Sequence, residues 1–301
     1  MGGGFSNEIV RIRLLDGPTN FSGPLVLRAM HDDDDAMRES VIQHGVAQAG
    51  FAAPPVLMRG TSRSPLERPF TISPLVAGKT FDELLNPTTA LKTFRRLPAQ
   101  LAETMSALHA LPTATIAERL SAAGWPASRL DSLAVLGEVE TQIATLHAPA
   151  LMQGAAWLAN HQPSFAPAVV CHGDLHPMNL LFEDDHVVAV LDWELARIGV
   201  PQHDLAELLC FALPAGAGRA ELERWMEMHR AKLAQRSGVH VPRIAWRRGF
   251  RLALRQLLVE RLPLYAVIHR FKPQPFLPRV VRNWVRLDEL AESLEGVPQA
   301  A

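Results

Sequence analysis

The segment 171–194 constrains this chain more than any other. It reads Cys-His-Gly-Asp-Leu-His-Pro-Met-Asn over 171–179, then Leu180-Leu181-Phe182, a polar turn over Glu183–His186, Val187-Val188-Ala189-Val190-Leu191, and Asp192-Trp193-Glu194. Two short apolar runs around a polar turn predict a β-hairpin. Pairing those strands draws Asp174, Asn179 and Asp192 together. One carboxylate that can orient a hydroxyl and two oxygen ligands suited to Mg²⁺ are the set that phosphoryl transfer needs.

The rest of the chain divides around that hairpin. Residues 1–78 read as strands with one helix: a strand over 9–14, the run Leu25-Val26-Leu27 behind Pro24, another over 56–58, a polar turn over 60–69, and Phe70-Thr71-Ile72. Between Asp33 and Gly50, Met37, Val41 and Val46 fall near helical spacing, with Asp33 or Asp34 as the expected cap and Gly50 as the stop. After a short linker near 73–78 the pattern turns helical. Leu91, Phe94, Leu97, Leu101, Met105 and Leu108 make one apolar face, and Pro98 within it predicts a kink or a helix start. Helices are further expected over 129–160, 203–213, 219–236, 243–270 and 279–295. The layout is α+β: a small strand-rich N-lobe over 1–78 and a larger, mainly helical C-lobe over 79–301.

Composition narrows the function classes. The 301 residues are 48% hydrophobic and 20% charged, which is globular composition. A net charge of −1 argues against a nucleic-acid partner. No run approaches the ~18 unbroken apolar residues of a membrane span, and the first residues lack the basic and apolar regions of a signal peptide. Cys171 and Cys210 make no disulfide framework. A cytoplasmic, reduced protein that binds neither nucleic acid nor membrane is expected. Oligomeric state is not legible.

Asp-x-x-x-x-Asn over 174–179, followed by the strand-borne Asp192, has the pattern of a kinase catalytic loop and metal-binding Asp. His172-Gly-Asp-Leu-His-Pro-x-Asn179 together with Leu191-Asp-Trp-Glu194 resembles the aminoglycoside phosphotransferase and choline kinase-like superfamily, the phosphotransferase enzyme family. The resemblance implies a protein-kinase-like two-lobed fold, with Asp174 as catalytic base, His172 supporting its loop, and Asn179 and Asp192 holding Mg²⁺. It extends to the N-lobe, where Gly3, Gly4, Ser6 and Asn7 look like the family's nucleotide loop and Arg28 stands where protein kinases place Lys. Glu39 is then the expected partner of Arg28. Ser73, Pro74, Leu75 and Val76 fall at the hinge that holds adenine; Pro74 has no N–H, so Leu75 or Val76 is expected to supply the donor. Asp204 matches a family Asp and reads physically as a helix cap. The glycine loop begins at residue 2, where family members have a helix and strand ahead of it; a start lying upstream, an incomplete N-lobe or a different segment filling the gap is expected.

Plainer readings compete at several positions. His172, Asp174 and His176 have the types of a transition-metal site, but that leaves Asn179 and Asp192 without a role. Asp32–Asp35 read as a solvated acidic run. Trp193 is expected to pack, Glu194 to bond backbone, and Cys171 to be an inert buried thiol. Arg243, Arg247, Arg248, Arg251, Arg255 and Arg261 read as a solvated helix face.

The expected activity is ATP- and Mg²⁺-dependent phosphorylation of a small-molecule hydroxyl. A nucleotide-binding module without turnover is the alternative. Residues 240–301 carry 11 Lys and Arg against 5 Asp and Glu. If those helices line the acceptor cleft, a neutral or anionic acceptor is expected rather than a polycationic aminoglycoside. Sugars, macrolide-like alcohols, amino alcohols and acyl-CoA-linked hydroxy acids remain open.

Overall fold

The computed structural model describes residues 7–85, 90–125, 152, 156, 158, 160, 168–184, 186–212, 217–271 and 277–295. The chain groups into two compact units. The first comprises Met1–Gln100, Leu111–Pro126 and His172–Arg197; the second comprises Leu101–Ala110, Ala127–Cys171 and Ile198–Ala301. The catalytic-loop segment thus belongs with the N-terminal strands.

In the first unit, β1 (Glu8–Ile12), β2 (Leu25–Ala29), β3 (Met58–Gly60) and β4 (Phe70–Pro74) form an antiparallel sheet in the order β1-β2-β4-β3. Leu25 stands opposite Pro74 and Ala29 opposite Phe70. Phe21, Leu25, Phe70 and Ile72 form a buried apolar cluster, with Ile12, Leu27 and Leu57 packed against it. The strand expected at 56–58 lies two residues later, because Leu57 only enters it, donating its N–H to the Ile72 carbonyl.

Helix α1 (Asp33–Gln48) is capped one residue before the expected Asp33 or Asp34. Asp32 is the N-cap, its carboxylate accepting from the N–H groups of Asp34 and Asp35 at 2.9 and 3.0 Å. Asp33 instead pins the turn after β3, accepting from the Ser62 N–H and hydroxyl. At the other end Gly50 has φ +84°, and the pairs Phe51 N–H to Val46 O and Gly50 N–H to Ala47 O close the helix as expected from that glycine.

The hairpin is present as β7 (Leu180–Glu183) and β8 (His186–Val190), with β5 (Lys79–Thr80) added to β7. Preceding it, β6 (Val169–Cys171) pairs with β9 (Arg197–Gly199). Phe81–Leu84 forms the short α2. Helix α3 (Ala90–His109) runs on through Pro98 rather than starting there, at the cost of one backbone hydrogen bond to Phe94, a residue on the exposed side. α4 covers Thr113–Ala122. The helices expected over 129–160 lie almost wholly outside the described residues.

In the second unit, α5 (Gln202–Ala212), α6 (Arg219–Ser237), α7 (Arg243–Phe271) and α8 (Leu277–Glu295) match the expected helices within two residues at each end. Trp246, Phe250, Leu254 and Leu257 from α7 and Trp284 and Leu287 from α8 are buried. Arg243 and Arg248 are exposed as expected, but Arg247, Arg251, Arg255 and Arg261 of α7 are not a solvated face. Arg247 pairs with Glu223 of α6 and donates to the Leu294 carbonyl. Arg251 meets Asp288, Glu292 and Glu295, and Arg255 meets Asp288 through both carboxylate oxygens at 2.9 Å. The acids of α8 lie against them and neutralise them. Among the described residues no helix is long and apolar enough to cross a membrane.

Shortening Ile72 to Ala is expected to lower stability by about 2–5 kcal/mol, since it removes buried methyl groups from a small cluster. Urea denaturation read by tryptophan fluorescence measures it. An unchanged midpoint would show that this cluster does not hold the sheet.

Candidate active site

The catalytic-loop segment is fastened from both sides. Gly173 has φ +80°, and a Cβ there would lie 2.2 Å from the Leu195 carbonyl oxygen, so only glycine fits. The buried His172 lies with Nε2 2.9 Å from the Leu191 carbonyl, while its Nδ1 accepts the Asp174 N–H at 3.2 Å. That assigns a neutral ring with its proton on Nε2. Both nitrogens serve the loop, so the metal reading of His172, Asp174 and His176 loses its first ligand.

Asn179 donates both to the Asp174 carbonyl at 2.9 Å and to Asp174 Oδ2 at 3.0 Å. Asp174 Oδ1 lies 3.4 Å from His176 Nε2. The Leu191 N–H donates to the Asn179 carbonyl at 2.8 Å, which sets Asn179 beside the residue preceding Asp192. Asp192 itself has φ +66°, a left-handed conformation that costs a non-glycine residue energy and that Asp tolerates better than most. Trp193 is fully buried, its indole donating to the Val190 carbonyl and its ring edge-on to Phe51 and His172. It packs, as expected.

Arg28 of β2 holds three carboxylates. Its Nη1 lies 3.0 Å from Glu39 of α1, and its Nη2 lies 2.7 Å from Asp192 and 2.9 Å from Glu194. The Glu39 partnership was expected; the contacts with Asp192 and Glu194 were not legible. The Glu194 carboxylate takes Arg28 and the Asn7 amide at 3.0 Å. Arg38 secures the Glu194 carbonyl at 2.6 Å and lies over the Trp125 ring. Burial pushes the Glu39 carboxyl up to about 7, with Arg28 pulling the other way.

At the hinge, Ser73 is buried in β4, and the Leu75 N–H is already given to the Pro24 carbonyl at 3.0 Å. Pro74 having none, Val76 is the expected donor that remains. Gly3, Gly4 and Ser6 lie outside the described residues.

Asp204 is no cap. It is buried in the first turn of α5 and accepts from His109 Nε2 at 2.9 Å, while His109 Nδ1 lies 3.2 Å from His229 Nε2. Cys171 is buried and free, its thiol on the Val200 carbonyl.

The donor set fits the expected groups. Both amide hydrogens of Asn179 are spent on Asp174, which leaves Asn179 Oδ1 as its donor, and Asp192 keeps Oδ2 beside the oxygen given to Arg28. Hard oxygen ligands of this kind suit Mg²⁺. The Arg28 guanidinium on β2, beside Asp192, suits a phosphate.

Residues 1–237 match the phosphotransferase enzyme family, and the chain belongs to it. A candidate aminoglycoside phosphotransferase from Ralstonia eutropha has the same fold, with a TM-score of 0.64 over 96% of this chain and 92% of that one at 19% identity. So does the aminoglycoside phosphotransferase APH(4)-Ia held with ADP and hygromycin B, at a TM-score of 0.61 over 99% and 94% and 15% identity. Among curated proteins, human acyl-CoA dehydrogenase family member 11 is 28% identical over 178 residues, covering 58% of this chain and 23% of that protein. The chain spans less than a quarter of the length of the curated relatives it matches.

The raised Glu39 group has a definite sign. The unfolded carboxyl titrates near 4.5 and the folded one near 7, so the folded protein holds this proton more tightly. The stability it contributes is complete below about pH 4.5 and is lost as pH rises through about 7. Glu39→Gln removes that slope. Its melting temperature is expected to gain on the wild type between pH 4.5 and 7 and to hold level above. A difference independent of pH would mean that Glu39 is ionised throughout.

Proposed function

We propose that this chain transfers the γ-phosphoryl group of ATP to a hydroxyl of a small molecule, with Mg²⁺. The observation that carries the reading is the Asp174–Asn179 pair, held in the same unit as an Arg28 that joins Glu39 to Asp192. Asp174 orients the hydroxyl and takes its proton as the new O–P bond forms and ADP leaves. Asn179 fixes Asp174, and His172 positions the loop. Arg28 contacts the nucleotide phosphates, with Asn7 and residues 3–6 about them and the hinge 73–76 about adenine. Asn179 and Asp192 would hold Mg²⁺, which when bound supplies charge neutralisation on the phosphates. Residues 1–78 serve the nucleotide in this reading and 79–301 the acceptor. A cytoplasmic setting is part of this reading.

The acceptor we propose is neutral or anionic, and a hydroxyacyl-CoA is the first to try. The names of the curated relatives support this more than charge does, because Arg251 and Arg255 of α7 are already paired with acids. The alternative is a nucleotide-binding module without turnover; Val76 would bond adenine in either reading, since Pro74 has no N–H and that of Leu75 is given to Pro24. Acceptor-dependent ADP release separates the two.

The test is ADP release with hydroxyacyl-CoA, kanamycin and hygromycin B, for the wild type, Asp174→Ala and Asp192→Ala. Asp174→Ala is expected to lose about 10²–10⁴-fold in turnover while still gaining thermal stability from Mg·ATP. Undiminished turnover by Asp174→Ala would overturn its role, and saturable kanamycin phosphorylation would overturn the acceptor class.

A further inference from the structure

A cavity of about 450 Å³ lies on the first unit, formed by α1, the chain entering β3, and α4. It falls within the range of small-molecule sites, ~300–1,000 Å³. Val41, Val56 and Leu57 give it an apolar lining, and its polar side is basic: Arg59, Arg119 and His44. Among the described residues no carboxylate lines it. The two arginines differ from the part-buried arginines that join elements of the fold. Arg28, Arg38, Arg247, Arg251 and Arg255 all have acid partners. Arg119 instead bonds the neutral amide oxygen of Gln48. Arg59 has no carboxylate within ion-pair distance among the described residues. Asp33, whose charge Arg59 feels, is already engaged by Ser62. His44 Nδ1 is buried and has no hydrogen-bond partner among the described residues.

We propose that this cavity binds a small amphiphilic anion, an apolar body with one phosphate, sulfonate or carboxylate head. The body would cover Val41, Val56 and Leu57, and the head would take the uncompensated guanidinium groups of Arg59 and Arg119. Charge-assisted bonds to a forked guanidinium are the stronger class of hydrogen bond, and these two groups have no acid to give up. The site is separate from Asp174 and its neighbours. It bears on them through α1: Ser40 and Val41 line the cavity, and Glu39, the residue before them, holds Arg28. Occupancy would brace the turn of helix that carries Glu39.

The full chain is titrated with 1-anilinonaphthalene-8-sulfonate, an aromatic anion that fluoresces when its body leaves water, and in parallel with uncharged N-phenyl-1-naphthylamine. Saturable binding of the sulfonate is expected. The double variant Arg59→Ser/Arg119→Ser should weaken it about tenfold or more, a change of ~1.4 kcal/mol, while leaving the uncharged probe and the melting temperature unchanged. Val41→Trp, which fills the apolar part, should exclude both probes. Competition reads the source of the natural anion, with phenyl phosphate standing for a free solute and phosphatidylglycerol vesicles for a membrane lipid. Sulfonate binding that ignores the double variant, or no saturable binding, overturns the proposal. Neither result depends on phosphoryl transfer, so the site and the catalytic reading fail separately.

Discussion

Arg28 sits at the centre of the first unit because three carboxylates depend on one guanidinium. Glu39 comes from α1, and Asp192 and Glu194 from the turn after β8. A cation so far removed from water is stable only with partners of opposite charge, and each acid needs the cation as much. Removing Arg28 would leave three acids facing one another, one of them already raised by burial. The contact therefore fixes more than charge. It requires β2 in register with β4, α1 seated so that Glu39 reaches inward, and the Asp-Trp-Glu turn held so that both its acids face the same group. Trp193 between them, buried against Phe51 and His172, anchors that turn. The left-handed backbone at Asp192 is tolerated within this frame.

What was legible in the sequence follows from range. The hairpin, the bounds of the C-terminal helices and the glycine stop of α1 depend on neighbours a few residues away, and periodicity and punctuation carry them. The pairing of Arg28 with Glu39 was legible only through the family's pattern. The readings that moved depend on partners far along the chain. Asp204 looked like a cap because a carboxylate near a helix start usually is one; its actual partner, His109, lies 95 residues earlier. The contact of Glu194 with Arg28 went unforeseen because nothing local reveals it. Leu75 lost its N–H to Pro24 across the β2–β4 edge. At α1 the cap moved by a single residue, since four successive Asp side chains offer the same chemistry and only geometry chooses Asp32.

The arginines of α7 show how far net charge can mislead. Counting residues in 240–301 gives a basic segment, but the count does not show that Arg251 and Arg255 are tied to Asp288, Glu292 and Glu295 on α8 and Arg247 to Glu223 on α6. Their work is to hold the helices together, with aliphatic stems lying on apolar surface. A sum over a segment says nothing about which charges remain to meet a ligand. Arg119, in the segment whose sum is acidic, bonds a neutral amide rather than an acid.

The chain of buried groups Asp204, His109 and His229 has a consequence for where protons reside. If His109 donates from both nitrogens, His229 must accept at Nε2 and carry its own proton on Nδ1, which is buried without a partner among the described residues. An orphaned N–H is costlier than an orphaned lone pair. The cheaper arrangement runs in one direction: His229 Nε2–H to His109 Nδ1, and His109 Nε2–H to Asp204. Burial and the neighbouring imidazole hold the His229 ring well below its usual range and so keep it neutral. Two protons are then shared among three groups with every tautomer specified by the carboxylate at one end. The interior of the second unit thus carries a built-in polarity, from the Trp246 side where His229 stacks toward the start of α5.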